Sequence, residues 1–190
     1  VHGIMVELPL PKGMSKDRIL GAVNPLKDVD GVNPLNQGYL ALELDGLFPA
    51  TPLACMEMLD RYELPVRGQE AVIVGWGATV GKPLLNMMLG RRATVTTTHS
   101  RTRDLAAHTR KADIVIAAVG RPGMITADMI KPGAVVIDVA INETAEGIVG
   151  DVDYAAVSEV AGYVTPVPGG VGSVTTVLLF KNLLKGMKMQ

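Results

Sequence analysis

From Gln69 onward the chain repeats one unit: a short, unbroken apolar run, a turn, and a stretch of helical pattern. The runs are AVIVG (71–75), ATVTTT (93–98), DIVIAAVG (113–120), AVVIDVAI (134–141) and GYVTP (162–166). Continuous β-branched runs of this length belong to strands buried on both faces, and helices between them make the sheet parallel. The first run is followed by PLLNMMLG and the second by DLAAHTRKA. The third is followed by a short helix capped by Thr126 and stopped by Pro132-Gly133, and the fourth by YAAVSEVA, capped by Asp153. This alternation predicts a Rossmann-type α/β domain.

The N-terminal third lacks the repeat. IMVEL (4–8) reads as a buried strand carrying Glu7 and stopped by Pro9 and Pro11. It has no basic n-region, so it is not a signal peptide, and an opening strand without neighbours predicts further chain upstream. Ser15–Val23 reads as a helix with Ser15 as N-cap and Asp17 in its first turn. NPLKDVDGVNPLNQG (24–38) reads as a long polar loop, and loops of that length are usually functional. Thr51 and Pro52 mark the next helix as N-cap and first helical residue. It ends near Pro65, where a domain boundary is expected. Residues 174–189 read as an amphipathic helix with Leu178, Leu179 and Leu183 inside and Lys181, Lys185 and Lys188 outside.

Composition narrows the function. Of 190 residues, 48% are hydrophobic and 19% charged, which is enough apolar material for a core. A net charge of -1 gives no long-range basic field for nucleic acid. Aromatics are 4% of the chain against 21 glycines, which favours sites built from backbone over platforms for stacking bases. A single cysteine, Cys55, makes no internal disulfide and suits the reducing cytoplasm. The apolar runs are strand-sized, so no membrane span is expected. His2, His99 and His108 show no metal-ligand spacing, and no metal site is expected.

The turn after the first run reads Gly75-Trp76-Gly77-Ala78-Thr79-Val80-Gly81, a GxGxxxG pattern between a strand and a helix. Glycines there let the backbone approach a pyrophosphate at a helix N-terminus, although a tight turn without ligand has the same pattern. The second run ends in His99-Ser100-Arg101-Thr102. An NAD site normally carries a carboxylate at this point to hold the ribose hydroxyls. Ser100 and Arg101 instead suit a 2′-phosphate, which favours NADP and leaves NAD possible. An ordinary helix start, capped by Ser100 or Thr102 with Arg101 solvated, accounts for the same residues.

VELPLPKG (6–13), KDVDGVNPLNQG (27–38), VGKP (80–83) and TPVPGGVG (165–172) together resemble one family. PATP (49–52), THSRT (98–102), AVGRPG (118–123) and GDVDY (150–154) extend the match in order along the chain. The chain resembles bifunctional methylenetetrahydrofolate dehydrogenase / methenyltetrahydrofolate cyclohydrolases. The resemblance implies a partial α/β folate-binding catalytic domain (1–65), a Rossmann-type NAD(P) domain (66–165) and a C-terminal segment (166–190) returning to the first domain. It implies oxidation of 5,10-methylenetetrahydrofolate with NADP and hydrolysis of the product to 10-formyltetrahydrofolate, in a homodimer joined through the nucleotide domain.

Carried onto this sequence, the resemblance makes Glu7 and Asp30 the catalytic residues. Folate falls to Leu8, Pro9, Asp30, Pro168, Gly169 and Gly170. The cofactor falls to Gly75, Trp76, Gly77, Thr79, Val80, Gly81, Ser100, Arg101, Val119, Gly120 and Ile141. Asp30 is the carboxylate that grips the pterin edge, while Asp28 makes the loop's own turn.

The chain departs from the family at Glu7 (usually Gln), Trp76 (often Arg), Gly77 (often Ser), Ser173 (usually Pro) and Ala50 (often Cys). Glu7 is expected to pair with the family's catalytic Lys, or else to sit protonated in its apolar strand. That Lys belongs to a YxxxK motif absent from these 190 residues, so a piece that does not turn over alone is expected. A non-catalytic nucleotide-binding relative, or a two-domain dehydrogenase of shikimate type, is the competing reading.

Overall fold

The computed structural model describes residues 1–145 and 147–190. At its centre lie β1 (Glu70–Val74), β2 (Thr94–Thr98), β3 (Ile114–Ala117), β4 (Val135–Asp138) and, after a small hairpin, β7 (Tyr163–Val164). They form one parallel sheet in the order β2-β1-β3-β4-β7. The chain steps from β1 outward to β2 and then back across to β3. The strand order therefore reverses between β1 and β3, and ligands of such sheets bind at the carboxyl ends flanking that point.

Side chains alternate across the sheet. Ile73, Ile114, Ile116 and Ile137 face one side, against Leu59, Leu84 and Met88. Val72, Val74, Val115 and Val136 face the other, against Ile125, Ile130 and Val157. Both faces are covered, as the unbroken Val/Ile runs require.

The helices are α1 (Lys16–Ala22), α2 (Pro34–Ala41), α3 (Ala50–Arg61), α4 (Gly81–Gly90), α5 (Leu105–Thr109), α6 (Tyr154–Ser158) and α7 (Val171–Met189). Ser15 caps α1, as its sequence predicts. α7 runs back to the first third of the chain. Asn182 donates to the carbonyls of both Val29 and Phe48 at 2.8 Å, and Lys185 binds Asp45 at 2.5 Å.

Several expectations are corrected. IMVEL is not a strand: Ile4 alone pairs with Asp28, and the residues beyond it meet no partner strand among those described. The 24–38 loop is not structureless. Asn33 accepts the Leu35 N–H at 2.8 Å with Pro34 at the first position, which starts α2. α3 begins at Ala50 with Pro49 as cap, ahead of Thr51. β5 (Asn142–Thr144) and β6 (Gly147–Val149) form an antiparallel hairpin that polar residues concealed. α7 begins at Val171, three residues early, and carries exposed Val177, Phe180, Leu184 and Met187 opposite its buried side.

Candidate functional site

The glycine turn sits at the carboxyl end of β1. Gly75 has φ +130, and a Cβ there would meet the Ala118 carbonyl oxygen at 2.2 Å. A Cβ on Gly81 would meet the Gly75 carbonyl oxygen at 2.1 Å. Both positions are glycine because two backbone segments touch there. Gly77 differs: a Cβ meets nothing within 4 Å. Nothing in the fold therefore requires glycine at 77. α4 starts at Gly81 with no side chain capping it; Lys82 donates its N–H to the Gly77 carbonyl at 3.0 Å and Pro83 has none, which leaves the Gly81 N–H for an anion. Trp76 is exposed, and the Lys82 ammonium lies over its ring at 5.4 Å.

This contrast gives a first expected result. Gly81→Ala should destabilise the protein by about 1–3 kcal/mol, the usual cost of forced overpacking, whereas Gly77→Ala should leave the thermal midpoint unchanged. Equal midpoints for both variants would refute the close backbone approach.

At the end of β2 the chain folds into a small turn. Thr102 Oγ1 accepts the His99 N–H at 2.9 Å, and His99 Nδ1 accepts the Arg101 N–H at 3.2 Å. Neither Ser100 nor Thr102 caps a helix. The cap of α5 is Asp104, in left-handed conformation at φ +46, accepting the Ala107 N–H at 3.0 Å. The cap expected at Ser100 or Thr102 is thereby overturned, while Arg101 is solvated as that account has it. Ser100 and Arg101 are exposed, and the Arg101 guanidinium enters no ion pair among the described residues. A cleft of about 140 Å³ opens beside them, lined by Val74, Thr98, Ser100, Val119 and Arg121.

Two buried acids shape the neighbouring loops. Asp151 accepts N–H groups from Val119 at 2.6 Å, Gly120 at 3.0 Å and Arg121 at 2.6 Å, and from the Asn142 side chain at 3.1 Å. Asp138, at the end of β4, accepts from Val152 at 2.8 Å and Ala140 at 3.1 Å. Burial, with a smaller push from the charge of Asp151, holds the Asp138 carboxyl above its ordinary range despite these donors.

A second cleft of about 340 Å³ lies under that end of β4. It brings Ile141 together with Pro168, Gly169, Gly170 and Ser173. Residues expected at the nucleotide thus share a cavity with residues expected at folate. Gly170 begins α7 as its cap residue.

The KDVDG segment approaches from the first third of the chain. Asp28 is buried, and its Oδ2 accepts from the Asn33 backbone at 2.7 Å and the Asn36 amide at 3.0 Å. It organises the loop, as expected. Gly31 has φ +64, and its backbone lies against that of Phe48 and Pro49. Asp30 is left half-buried beside the start of α3. Burial, then repulsion from Asp28, pushes its carboxyl up to about 6, against a hydrogen bond from the Ala50 backbone, and the charge of Glu7 adds to the rise. Glu7 therefore does share a field with Asp30. It is exposed and stands outside any strand, so the apolar-strand setting expected to neutralise it is absent. The Leu8-Pro9 and Val167-Pro168 peptides are both cis.

Contacts connect the two halves. Thr175 of α7 stands 3.5 Å from Thr51 of α3, one residue from the peptide that holds Asp30, and donates to the Val171 carbonyl at 3.0 Å. Asp151, Asp138, Asn182, Lys82 and Arg121 escaped the residue-by-residue reading. GDVDY pointed to Asp151 as part of a motif, without a role.

A family profile described as the NAD(P)-binding domain of tetrahydrofolate dehydrogenase/cyclohydrolase matches residues 49–190. The bifunctional protein FolD of Pelotomaculum thermopropionicum is 58% identical over the whole chain, which spans 67% of that relative. A crystal structure of the bifunctional FolD methylenetetrahydrofolate dehydrogenase/cyclohydrolase from Campylobacter jejuni superposes with a TM-score of 0.96 at 47% identity. It covers 98% of this chain and 67% of that one. The Trypanosoma brucei FolD structure, complexed with NADP cofactor and inhibitor, superposes at 0.93 with 39% identity, covering 99% of this chain and 67% of that one.

Proposed function

The chain belongs to the tetrahydrofolate dehydrogenase/cyclohydrolase family, and from that premise we propose how its residues serve the two reactions. It is an enzyme of one-carbon metabolism. It oxidises 5,10-methylenetetrahydrofolate to 5,10-methenyltetrahydrofolate with NADP and hydrolyses the product to 10-formyltetrahydrofolate.

The residues present fit NADP. Gly75 and Gly81 let backbone pack on backbone in the turn, and at the start of α4 the Gly81 N–H is left for the diphosphate. Arg101 and Ser100 stand uncommitted for the 2′-phosphate. Thr79 and Val80 complete the turn, with Trp76 and Lys82 over its rim. When bound, NADP supplies the acceptor for the hydride leaving the folate carbon.

The chain's own residues orient and shield. The observation that carries this reading is the cleft in which Ile141 faces Pro168, Gly169 and Gly170. It sets a nucleotide wall against a folate wall, which hydride transfer requires. Its apolar members are Pro168, the buried Val171 and the exposed Ile141, which give the reacting carbon a wall poor in hydrogen-bonding groups. Asp30, ionised above about pH 6, accepts ring N–H groups of the pterin, while Leu8 and Pro9 border the ring. Glu7, exposed and within the field of Asp30, pairs with the family's catalytic Lys and sets its proton balance for the hydration step.

The domain division at residues 65 and 165 and a homodimer through the nucleotide domain belong to the same reading. So does a reducing cytoplasmic setting. There Cys55, fully buried with its thiol pushed up to about 12 by desolvation, remains a packed core residue. The described residues contain no helix long and apolar enough to cross a membrane.

The test is the rise in absorbance of reduced nicotinamide on adding 5,10-methylenetetrahydrofolate and NADP to the complete enzyme. Ile141→Glu, which places a charge in the shared cleft, should lower kcat at least tenfold. Turnover unaffected by that charge would move the reaction out of the cleft.

A further inference from the structure

Asp151 is fully buried and lines neither cleft among the described residues, yet it gathers four N–H donors around two oxygens. Three of them are consecutive backbone groups, Val119, Gly120 and Arg121, wrapped round one carboxylate as a nest. A peptide group is planar and trans, so an N–H turned inward sends the carbonyl of the same plane outward. The N–H of Val119 shares its plane with the carbonyl of Ala118. That oxygen is the atom a Cβ on Gly75 would strike at 2.2 Å. One rigid peptide therefore has Asp151 on one edge and the first glycine of the diphosphate turn on the other.

The fourth donor extends the arrangement. Asn142 opens β5 and follows Ile141, which forms the apolar wall of the 340 Å³ cleft. Val119 and Arg121 line the 140 Å³ cleft at the other end of the cofactor path. Asp151 thus ties both clefts and the glycine turn to a single point. Only a carboxylate suits it: an amide in its place would turn an NH₂ toward two donors. Asp138 is no substitute, since its oxygens are committed to Val152 and Ala140.

We propose that Asp151 is the positioning residue that sets the loop after β3 against the glycine turn, and so places the cofactor for the dehydrogenase step. The proposal rests on the functional reading above. Asp151 acts through the loop and does not touch the cofactor. Its loss should disturb NADP while leaving the folate side, held by Asp30 and α7, nearly as it is.

Trp76 is the single tryptophan of these 190 residues and stands in the turn, so the change in its fluorescence on adding NADP follows binding. In the complete enzyme, Asp151→Asn should raise the NADP Kd and KM roughly 10–30-fold, with the KM for folate within twofold. Asn142→Ala, which leaves the three backbone donors, should raise the NADP Kd about threefold.

Wild-type protein that binds no NADP would overturn the functional reading itself. Normal wild-type binding with an unchanged Asp151→Asn variant would overturn the positioning role alone. If Asp151→Asn does not fold, Asn142→Ala decides. A threefold loss for NADP with folate untouched supports the role, and an unchanged Kd overturns it.

Discussion

Asp30→Asn should nearly abolish folate turnover and, at neutral pH, make the protein more stable. The two effects have one origin. Asp30 is held half-buried between Asp28, Glu7 and the start of α3, where burial and then like charge push its carboxyl up to about 6. An unfolded chain would ionise it near the ordinary carboxylate value, about 3.9. Between about pH 4 and 6 the unfolded state therefore gives up a proton that the native state keeps. Stability is lost as pH rises through that window, and above it the whole cost of the buried charge is present. Two pKa units correspond to about 2.7 kcal/mol, which solvent screening at a half-buried group reduces to roughly 1 kcal/mol.

Asparagine keeps the shape and removes the charge, so the thermal midpoint should rise by a few degrees at pH 7 and match wild type at pH 4. The same change replaces one acceptor oxygen by a donor, opposite to what ring N–H groups need. Asp28→Asn should do the reverse. It replaces the charged oxygen that accepts from both Asn33 and Asn36 by a neutral amide oxygen, which weakens both bonds and lowers stability, and affects turnover only through loop order. Unfolding curves at pH 4, 5.5 and 7 with parallel dehydrogenase assays separate the cases. Near-normal turnover of Asp30→Asn would remove it from the site, and a midpoint difference independent of pH would remove the charge argument.

The sheet was legible because its strands are buried on both faces, which leaves unbroken runs such as AVIVG and DIVIAAVG. IMVEL looked the same and is not a strand: an apolar run records burial tendency, whereas a strand needs a partner to take its N–H groups. α2 was hidden by its composition, although Asn33-Pro34 is an N-terminal helix signal. At the site, Gly75 and Gly81 could be read from spacing, since a backbone contact demands glycine locally. Asp151 could not, because its donors come from 9 to 32 residues away and carry no side-chain signature in three cases of four. The helix-cap alternative at Ser100 and Thr102 closed only when Asp104 took the cap, through a left-handed conformation that sequence pattern does not announce.

That closure makes cofactor choice the other large expected effect: Arg101→Ala should weaken NADP roughly 10–100-fold and leave NAD almost untouched. Arg101 follows the end of β2, at the position where a carboxylate would hold the ribose hydroxyls of NAD. Its backbone N–H is fastened to His99 Nδ1 at 3.2 Å, and that turn is closed by Thr102 at 2.9 Å. The backbone is therefore ordered before any ligand arrives, while the guanidinium has no competing ion pair among the described residues. A planar, permanently charged fork suits a phosphate dianion, and Ser100 beside it supplies a hydroxyl. NAD lacks the 2′-phosphate and gives the fork nothing to bind. Arg101→Lys should recover only part of the loss, since a point charge replaces two directed donors. Trp76 fluorescence titrations with both cofactors, repeated at raised salt, provide the measurement. The NADP preference of the wild type should shrink with salt, and that of Arg101→Ala should not. Equal losses for NADP and NAD would show that Arg101 holds the turn and not the phosphate. The charge for NADP would then fall to Arg121, which lines the cleft with Ser100, or to Lys82, whose ammonium lies over Trp76 at 5.4 Å.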